Sequence, residues 1–446
     1  MEIILLSGGS GKRLWPLSNH TRSKQFLPFF KSPSGEFESM LQRVVRQIDG
    51  SGIKANITVA TNSTQKDIII NQLGNGVNVV TEPERRDTFP AIALASCYLS
   101  MFKHCKDDET VIIMPCDPCT EDGYFKTVGR MAEAVSNNVA ELVLMGIQPT
   151  YPSSKFGYIV PEGEALEGGI RSVRYFTEKP DKATAEKLIS NGAMWNGGVF
   201  AFRLGYLMDI VRKYTDADSF EKVRAEFTAF PKISFDYEVA EKAKSVAVVP
   251  FSGKWKDMGT WNAFSEELPE QCFGNVRFGE NNVNTHAINE LGIPLFCAGL
   301  KDVIVASGPE GILVSSKDES EKIKSYVDEL IGRPMYEERR WGIYRVIDNS
   351  TYGDGFKSLT KSIIVKAGKH ISYQVHKHRD EVWSFVDGEG TLILDGEVRK
   401  VGRGDVIHIK KGQHHAVQAD TDLSFIEVQM GDLLVEEDIE RFDWPL

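Results

Sequence analysis

The stretch Gly8-Gly9-Ser10-Gly11-Lys12-Arg13-Leu14-Trp15-Pro16-Leu17-Ser18 directly follows a short apolar run, Ile3–Leu6. An apolar run of this length that ends in glycines indicates a buried strand followed by a turn. Glycines let backbone N–H groups approach phosphate oxygens. Arg13 and Lys24 add the fixed positive charge that phosphoryl transfer requires. The stretch therefore predicts a phosphate-binding loop, with an ordinary strand–turn–helix junction as the alternative. Its spacing fits neither a Walker A loop nor the G-x-G-x-x-G fingerprint.

The first half of the chain alternates strand-like apolar runs with amphipathic stretches of helix length. The strand-like runs are Ile3–Leu6, Ile57–Ala60, Val77–Thr81, Thr110–Met114 and Leu142–Ile147. The helical stretches lie around Glu38–Ile48, Gln65–Leu73, Ala91–Phe102 and Phe125–Asn138. This alternation predicts an α/β domain with a Rossmann-like mixed sheet, whose ligands bind beyond the carboxyl ends of its strands.

Two further regions differ in character from this first half. Between Asn275 and Ser316 the apolar pieces are short and separated by turns, which predicts a small β-rich connector, followed by one helix that ends near Leu330. After Arg340, alternating runs separated by glycine turns predict a compact all-β barrel or jelly roll. These runs are Ser362–Val365, Val382–Val386, Gly390–Leu394, Asp405–Ile409 and Leu423–Val428. The predicted domains are 1–265, 266–332 and 333–446.

Composition excludes several classes of protein. The 446 residues carry 52 Lys and Arg against 63 Asp and Glu, a net charge of −11, so we expect no binding to nucleic acid or to anionic membranes. Six cysteines are too few for a disulfide scaffold; Cys116 and Cys119 have C-x-x-C spacing, which leaves a redox or metal role open. The N-terminus lacks the features of a signal peptide, and no apolar run approaches about 20 residues. We therefore expect a cytoplasmic protein.

The stretch from Gly8 to Phe26 closely resembles the signature loop of sugar-1-phosphate nucleotidylyltransferases, and among them that of mannose-1-phosphate guanylyltransferases. Further motifs of this family follow in the expected order: Glu82–Ala91, Pro115–Asp117, Gly146–Thr150, Gly157–Ile159, Phe176–Pro180, Trp195–Gly198 and Trp255–Trp261. The resemblance spans Met1–Phe264. It implies a nucleotidyltransferase domain that transfers GMP from GTP to mannose 1-phosphate, giving GDP-mannose and pyrophosphate.

The resemblance also implies roles for individual residues. Nucleotide-binding residues would be Gly8, Gly9, Gly11, Arg13, Glu82, Arg86 and Thr88, and sugar-phosphate-binding residues would be Gly157, Tyr158, Glu178, Lys179 and Asn196. Arg13 and Lys24 would contact the triphosphate and, with Asp117 and Asp257, form the catalytic set. The two aspartates would bind Mg²⁺ through carboxylate oxygen, because two phosphate groups that repel each other need a divalent ion to hold them in line. Asp117 and Asp257 could instead cap a turn or helix, and Lys179 could be a solvated surface residue.

Three residues depart from the family pattern near the expected substrates. Lys12 stands where Thr is usual, Asp87 where Asn is usual and Gly197 where Ser is usual. A second hypothesis therefore keeps the enzyme class but changes the triphosphate or the hexose 1-phosphate. A third hypothesis is a sugar-nucleotide sensor with a degenerate catalytic domain; retention of Arg13 and Lys24 speaks against it.

Histidines are concentrated in the last quarter of the chain. Six of the nine lie there: His370, His376, His378, His408, His414 and His415. Side chains on a strand repeat every two residues, so Gln374, His376 and His378 are predicted to share one face. Glu381 and His415 would come from neighbouring strands. These residues predict a site for Zn²⁺ or another first-row divalent ion.

The spacing from Gly368 to Gly388 resembles the first cupin motif, with Gln374 in place of its first histidine. The region from Arg340 to Arg441 resembles the mannose-6-phosphate isomerase domain, of type II, that is fused to bacterial guanylyltransferases. The resemblance implies a C-terminal all-β cupin (jelly roll) that interconverts fructose 6-phosphate and mannose 6-phosphate. Its metal ligands would be Gln374, His376, Glu381 and His415. A metal-free cupin, or one without isomerase activity, is the alternative.

The remaining isomerase roles fall on three residues. His378 is the candidate catalytic base, and Lys361 and Arg441 would hold the sugar phosphate; a surface position for Lys361 is the alternative. The first hypothesis is thus a bifunctional enzyme of GDP-mannose synthesis, assembled as a homo-oligomer, a dimer. A separate mutase would have to join the two steps.

Overall fold

The computed structural model describes residues 1–9, 12–330 and 332–444, which form two compact units. Residues 1–9 and 23–269 make up the first unit, and residues 12–22 and 270–444 make up the second. The first unit ends four residues after the predicted boundary at 265. The connector and the C-terminal domain, predicted as separate domains, cluster together in the second unit. The sequence did not predict that residues 12–22 of the signature loop belong there as well.

A mixed nine-stranded sheet forms the centre of the first unit. Its strands lie in the order Asn78–Glu82, Asn56–Asn62, Glu2–Leu6, Thr110–Pro115, Met194–Arg203, Leu142–Ile147, Val246–Phe251, Arg171–Thr177 and Tyr158–Glu162. The strand Glu2–Leu6 is parallel to both of its neighbours, with Ile4 opposite Thr58 and Ile113. Met194–Arg203 runs antiparallel to Thr110–Pro115 and Leu142–Ile147, and also pairs antiparallel with Tyr158–Glu162. The predicted Rossmann-like mixed sheet is confirmed.

Helices cover both faces of this sheet. Ile3 and Leu5 point into one apolar cluster and Ile4 into the other, as expected for a strand buried on both faces. The α-helices are Met40–Gly50, Lys66–Leu73, Thr88–Cys97, Asp122–Ser136, Lys182–Ser190, Leu204–Val211, Phe220–Ala225 and Trp261–Ser265, and π-helical turns cover Tyr98–Phe102 and Asp236–Ala240. Short 3-10 turns cover Lys24–Phe26, Ser63–Gln65, Glu167–Gly169 and Phe227–Ala229. Among the described residues, no helix is both long and apolar enough to cross a bilayer.

Two small strand pairs complete the first unit. Phe30–Lys31 pairs with Phe37–Glu38. Trp255–Asp257 runs antiparallel to Pro118–Thr120, with Asp257 opposite Pro118. This second pair brings two distant motifs together, because Pro118 directly follows Asp117.

The N-terminal part of the second unit is a stack of short parallel strands. Cys272–Gly274 pairs with His286–Asn289, which pairs in turn with Val303–Gly308. Val276–Phe278 pairs in parallel with Leu295–Cys297, and Ala287, Cys297 and Val305 form a small core. The antiparallel strand Gly311–Ser316, the turn Asp318–Lys322 and the helix Ile323–Leu330 end this connector.

The C-terminal part is an all-β sandwich, which confirms the predicted jelly roll. One sheet has the order Tyr336–Arg339, Gly342–Thr351, Lys357–Val365, Leu423–Gly431, Arg379–Asp387 and Val406–Ile409. The other has the order Glu397–Gly402, Glu389–Leu394, His415–Ala419, Tyr373–Val375 and Glu440–Phe442, and a 3-10 turn covers Glu436–Asp438. Trp383, Phe385 and Phe425 fill the core of the sandwich.

Candidate active and metal sites

Buried polar side chains hold the glycine turn at the end of the first strand. The Gln25 amide donates to the Ser7 carbonyl at 2.9 Å, and the Ser23 hydroxyl donates to the Gly9 carbonyl at 2.8 Å. A Cβ added to Gly8 would lie 3.3 Å from a carboxylate oxygen of Glu82. The turn therefore keeps its backbone close to Glu82. Gly11, also predicted to bind the nucleotide, lies outside the described residues.

Three predicted catalytic residues meet in the first unit. Lys24 Nζ lies 2.8 Å from Asp117 Oδ2 and 3.6 Å from Asp257 Oδ1. Asp117 follows the strand Thr110–Pro115 and Asp257 ends its own short strand, so both carboxylates stand where α/β sheets bind their ligands. The lysine is mostly buried, while both carboxylates remain partly exposed. Two such carboxylates offer the oxygen ligands that Mg²⁺ prefers.

The motif Glu82–Ala91 contributes one buried carboxyl group, that of Glu82, and two side chains that hold neighbouring backbone in place, those of Arg86 and Thr88. Burial raises the pKa of Glu82 to about 7. Arg86 donates to the Phe230 carbonyl at 3.2 Å and pairs with Glu84, and the Thr88 hydroxyl accepts from the Phe235 N–H at 2.9 Å. The side chains of Arg86 and Thr88 thus brace the segment around Phe230.

The predicted sugar-side residues gather around Asp236, a carboxylate that no motif indicated. Asn196 Nδ2 donates to Asp236 Oδ1 at 2.5 Å, and Lys179 pairs with Glu178 at 2.7 Å. Burial, and next the charge of Glu178, raise the pKa of Asp236 to about 6. Asp236 lies in a π-helical turn within the region of mixed pattern, where periodicity carries no signal.

Gly157 and Tyr158 lie next to this group and play different parts. A Cβ on Gly157 would collide with the Glu178 carboxylate and the Phe176 ring, so glycine is required for their close approach. Tyr158 is fully buried, and its hydroxyl exchanges hydrogen bonds with the Ser153 backbone, at 2.9 Å in each direction. The side chain of Tyr158 therefore supports the core, and the sugar contact that the resemblance implies stays a prediction.

Arg13 lies on the short helix Lys12–Leu14 in the second unit, where its side chain is exposed. Sequence reasoning placed Arg13 and Lys24 on one continuous loop. The structure assigns the two residues to different units.

The predicted metal ligands of the C-terminal domain converge in its interior. His376 Nε2 lies 3.2 Å from Glu381 Oε1, and His415 Nε2 lies 3.6 Å from Glu381 Oε2. One ligand atom from each of these three residues lies within 4.8 Å of the others. Gln374 Nε2 lies 3.4 Å from His376 Nε2 and 3.5 Å from His415 Nε2, which completes the predicted set of four.

A second layer of polar side chains, which sequence reasoning missed, holds Glu381. Arg379 Nε and Trp383 Nε1 donate to its two oxygens at 2.9 and 3.0 Å, and Gln429 Nε2 donates at 3.3 Å. Burial alone would raise the pKa of Glu381, but the hydrogen bonds and charges of the two histidines hold it well below its usual range. Arg379 and Trp383 lie two residues either side of Glu381 on one strand. Strand alternation from Glu381 could therefore have predicted that all three side chains share a face.

Lys361 lies on the inner face of the sandwich, not at the surface. It is 5% exposed, with Nζ 3.7 Å from Glu427 and 3.3 Å from Glu436. Gln429 donates to Glu427 Oε2 at 2.9 Å, so Glu427 joins Lys361 to the residues around Glu381. Burial and the charge of Glu381 raise the pKa of Glu427 to about 7.

His378 and Arg441 do not join this cluster. The strand ends at Val375, so His378 lies three residues beyond it and outside its two-residue alternation. The His378 ring is half exposed and faces Asp432 at 3.6 Å, and Arg441 is exposed on a peripheral strand. The prediction that His378 shares the ligand face is wrong.

Comparisons with known proteins agree with both halves of this description. Residues 2–272 match the family described as Nucleotidyl transferase, which is more than half of the chain. Residues 333–444 match the family described as Mannose-6-phosphate isomerase C-terminal. The two resemblances inferred from the motifs are confirmed.

Several relatives match along almost the whole chain. The Mannose-1-phosphate guanylyltransferase of Escherichia coli (strain K12) is 30% identical, over 98% of this chain and 97% of its own. The Xanthan biosynthesis protein XanB of Xanthomonas campestris pv. campestris (strain B100) is 32% identical, over 99% and 97%. The crystal structure of mannose-1-phosphate geranyltransferase from Thermus thermophilus superposes with a TM-score of 0.60 and 27% identity, over 74% of this chain and 98% of that one.

Proposed function

The chain belongs to the nucleotidyl transferase family, and within it to the mannose-1-phosphate guanylyltransferases that carry an isomerase domain; from this premise we propose that it makes GDP-mannose from GTP and mannose 1-phosphate. The observation that carries the proposal is Lys24 held between Asp117 and Asp257. Its C-terminal domain interconverts fructose 6-phosphate and mannose 6-phosphate. Full-length similarity to biosynthetic enzymes disfavours the sensor hypothesis.

In the first unit, the chain's residues bind and align two phosphate groups. The carboxylates of Asp117 and Asp257 would hold Mg²⁺, which neutralises charge on the transferring phosphate when bound. Lys24 supplies fixed positive charge to the triphosphate, and Lys179 supplies it to the sugar phosphate. Glu178 and Asn196 orient the sugar hydroxyls. Alignment of the attacking oxygen with the α-phosphorus supplies most of the rate enhancement.

In the second unit, two imidazoles, one carboxylate and the Gln374 amide fit a divalent transition metal, for which we propose Zn²⁺. The amide nitrogen and oxygen of Gln374 are interchangeable in assignment, so its oxygen can face the same point as the histidines. A metal there would polarise the sugar carbonyl. Arg379, Trp383 and Gln429 orient Glu381 as outer partners.

We propose that Glu427 replaces His378 as the base that moves the proton between C1 and C2. Glu427 is buried beside Lys361 and is linked through Gln429 to the ligand Glu381. A carboxylate can act as a general base, and burial raises the pKa of Glu427, which favours proton uptake. Lys361 holds the sugar phosphate or the developing oxyanion from inside the same cluster.

We further propose a cytoplasmic dimer. All six cysteines are free, which suits a reducing compartment. The strand Gly311–Ser316 lies at an edge of its sheet and exposes Ile312 and Val314 by 62% and 67%. Such an exposed apolar edge fits pairing with a second copy of the chain.

Pyrophosphate release by the purified protein tests the transferase. Each of the four ribonucleoside triphosphates is supplied with Mg²⁺, with and without mannose 1-phosphate. Release only with GTP and mannose 1-phosphate is expected. Release with another triphosphate would move the proposal to a different substrate, and GDP-mannose binding without turnover would favour the sensor.

A further inference from the structure

Residues 12–22 are attached to the connector by an ion pair at each end. Lys12, at the first end, pairs with Asp328 of the helix Ile323–Leu330. Arg22, at the other end, makes two parallel hydrogen bonds to the Glu290 carboxylate, at 2.8 and 3.0 Å. A bidentate arginine–carboxylate pair fixes orientation as well as distance.

The middle of the segment is also fitted to the connector. The Trp15 ring lies so close to Gly311 that a Cβ there would come within 2.5 Å of it. Asn19 Nδ2 donates to Glu310 Oε1 at 2.8 Å, while Asn19 Oδ1 accepts from the Arg22 N–H at 2.7 Å. Contacts along the whole segment thus define one conformation.

Arg22 is the contact with the greatest consequence. Its side chain is 11% exposed, its guanidinium lies 5.1 Å from the centre of the Tyr336 ring, and Nε lies 4.0 Å from Glu338. Loss of one partner from a buried pair leaves an uncompensated charge, so the chain around it rearranges.

Arg22 is joined by the chain to residues of the phosphate loop. It precedes Ser23, whose hydroxyl binds the Gly9 carbonyl, and Lys24, which contacts Asp117 and Asp257. Arg13 lies within the attached segment itself. A displacement at Arg22 therefore reaches Lys24 through two peptide units.

We propose that the Arg22–Glu290 pair is a positioning clamp for the transferase: it fixes the chain that leads directly into Ser23 and Lys24, and Lys24 is the residue that meets the triphosphate. Arg22 touches no substrate and is not a catalytic residue. This inference rests on the proposed function, with GTP as the substrate.

Steady-state kinetics of pyrophosphate release tests the clamp in the full-length protein. The variants are Arg22→Ala, Arg22→Lys, Arg22→Glu and the charge swap Arg22→Glu/Glu290→Arg. The matched control is Arg46→Ala, since Arg46 makes an equally bidentate pair with Glu38, at 2.9 and 2.6 Å, away from the segment. Isomerase activity of each preparation reports whether the second unit is folded.

Arg22→Ala is expected to raise the KM for GTP roughly 10- to 100-fold, the effect of displacing a positioning element by about 1 Å. In Arg22→Ala, the KM for mannose 1-phosphate and the isomerase activity are expected to stay near their wild-type values. In the Arg46→Ala control, the KM for GTP is expected to stay near its wild-type value. Arg22→Lys and the charge swap are expected to recover part of the loss seen in Arg22→Ala and Arg22→Glu.

Three results would overturn the clamp. They are a wild-type KM for GTP in Arg22→Ala, an equal effect of Arg46→Ala, or no recovery in a charge-swap variant that retains isomerase activity. Loss of both activities in Arg22→Ala would mean that the variant does not fold. In that case the KM for GTP of Arg22→Lys and of the charge swap decides: a KM near that of the wild type supports the clamp, and a raised KM with isomerase activity retained contradicts it. Failure of the proposed function is distinguishable, because the wild-type protein itself would then not turn over GTP with mannose 1-phosphate.

Discussion

Replacement of Glu82 by glutamine should stabilise the first unit in a pH-dependent way. Glu82 is 6% exposed, and burial raises its pKa from 4.5 to about 7. The folded protein therefore binds a proton on Glu82 more tightly than the unfolded chain does. Stability from this group is fully present below pH 4.5 and is lost as the pH rises to about 7.

The size of the effect follows from the two pKa values. By linkage, ionisation of Glu82 lowers the free energy of unfolding by about 1.4 kcal/mol near pH 5.5 and by about 3.4 kcal/mol near pH 8.5. Glutamine has nearly the same shape and is neutral throughout, so Glu82→Gln removes that cost. At about 2 to 4 °C per kcal/mol for a unit of this size, the expected gain in Tm near pH 8.5 is about 7 to 14 °C.

Thermal unfolding of both proteins near pH 5.5 and pH 8.5 measures this difference. Glu84→Gln is the matched control, since Glu84 belongs to the same motif but is half exposed, and no pH-dependent gain is expected there. A gain in Glu82→Gln that is absent, or equal at the two pH values, would refute the buried-carboxyl argument. The same variant should also raise the KM for GTP if Glu82 contacts the nucleotide.

Three further predictions separate the two active centres. Lys24→Ala should lower transferase kcat/KM by about 100-fold or more, as loss of one transition-state charge contact does, and leave the isomerase intact; equal loss of both activities would refute independent sites. Glu427→Gln should abolish isomerase activity and His378→Ala should retain most of it, and progress-curve assays that show the reverse would restore His378 as the base. A chelator should abolish the isomerase and lower the Tm of the cupin, with recovery on adding Zn²⁺; activity that persists without metal, confirmed by elemental analysis, contradicts the role of His376 and His415.

Much of the fold could be predicted because local patterns and tertiary contacts agree. The run Leu142–Ile147 matches its strand residue for residue, since it is apolar on both faces and bounded by turns. The helix predicted over Ala91–Phe102 exists, but it begins earlier, at Thr88, because Asp87 caps it, and it ends in a π-helical turn. The start of a helix and a change from α- to π-helix depend on local contacts, and the hydrophobic periodicity of the sequence does not predict those contacts.

The candidate sites could be predicted only where a spacing rule applied. Gln374 lies on a strand and His376 lies one residue beyond it, where the two side chains still meet, but the alternation rule failed at His378 because the strand had already ended. Asp236 reaches Asn196 from a π-helical turn, in a region whose mixed pattern predicts no element. The assignment of residues 12–22 to the second unit depends on pairs such as Arg22 with Glu290, separated by 268 residues, which one sequence cannot reveal.

Two of the cations expected to bind substrate are already paired with carboxylates. Lys24 contacts Asp117 and Asp257, and Lys179 contacts Glu178, in a chain whose net charge is −11. A triphosphate can recruit Lys24 only if both aspartates find another positive partner, and they are the proposed Mg²⁺ ligands. Binding of metal and of triphosphate at this site must then be mutually favourable. The triphosphate draws Lys24 away from the two aspartates, and Mg²⁺ replaces the positive charge that they lose. An acidic chain thereby discriminates against triphosphate alone, and we expect GTP affinity to rise with Mg²⁺ concentration and to lose that dependence in Asp117→Asn.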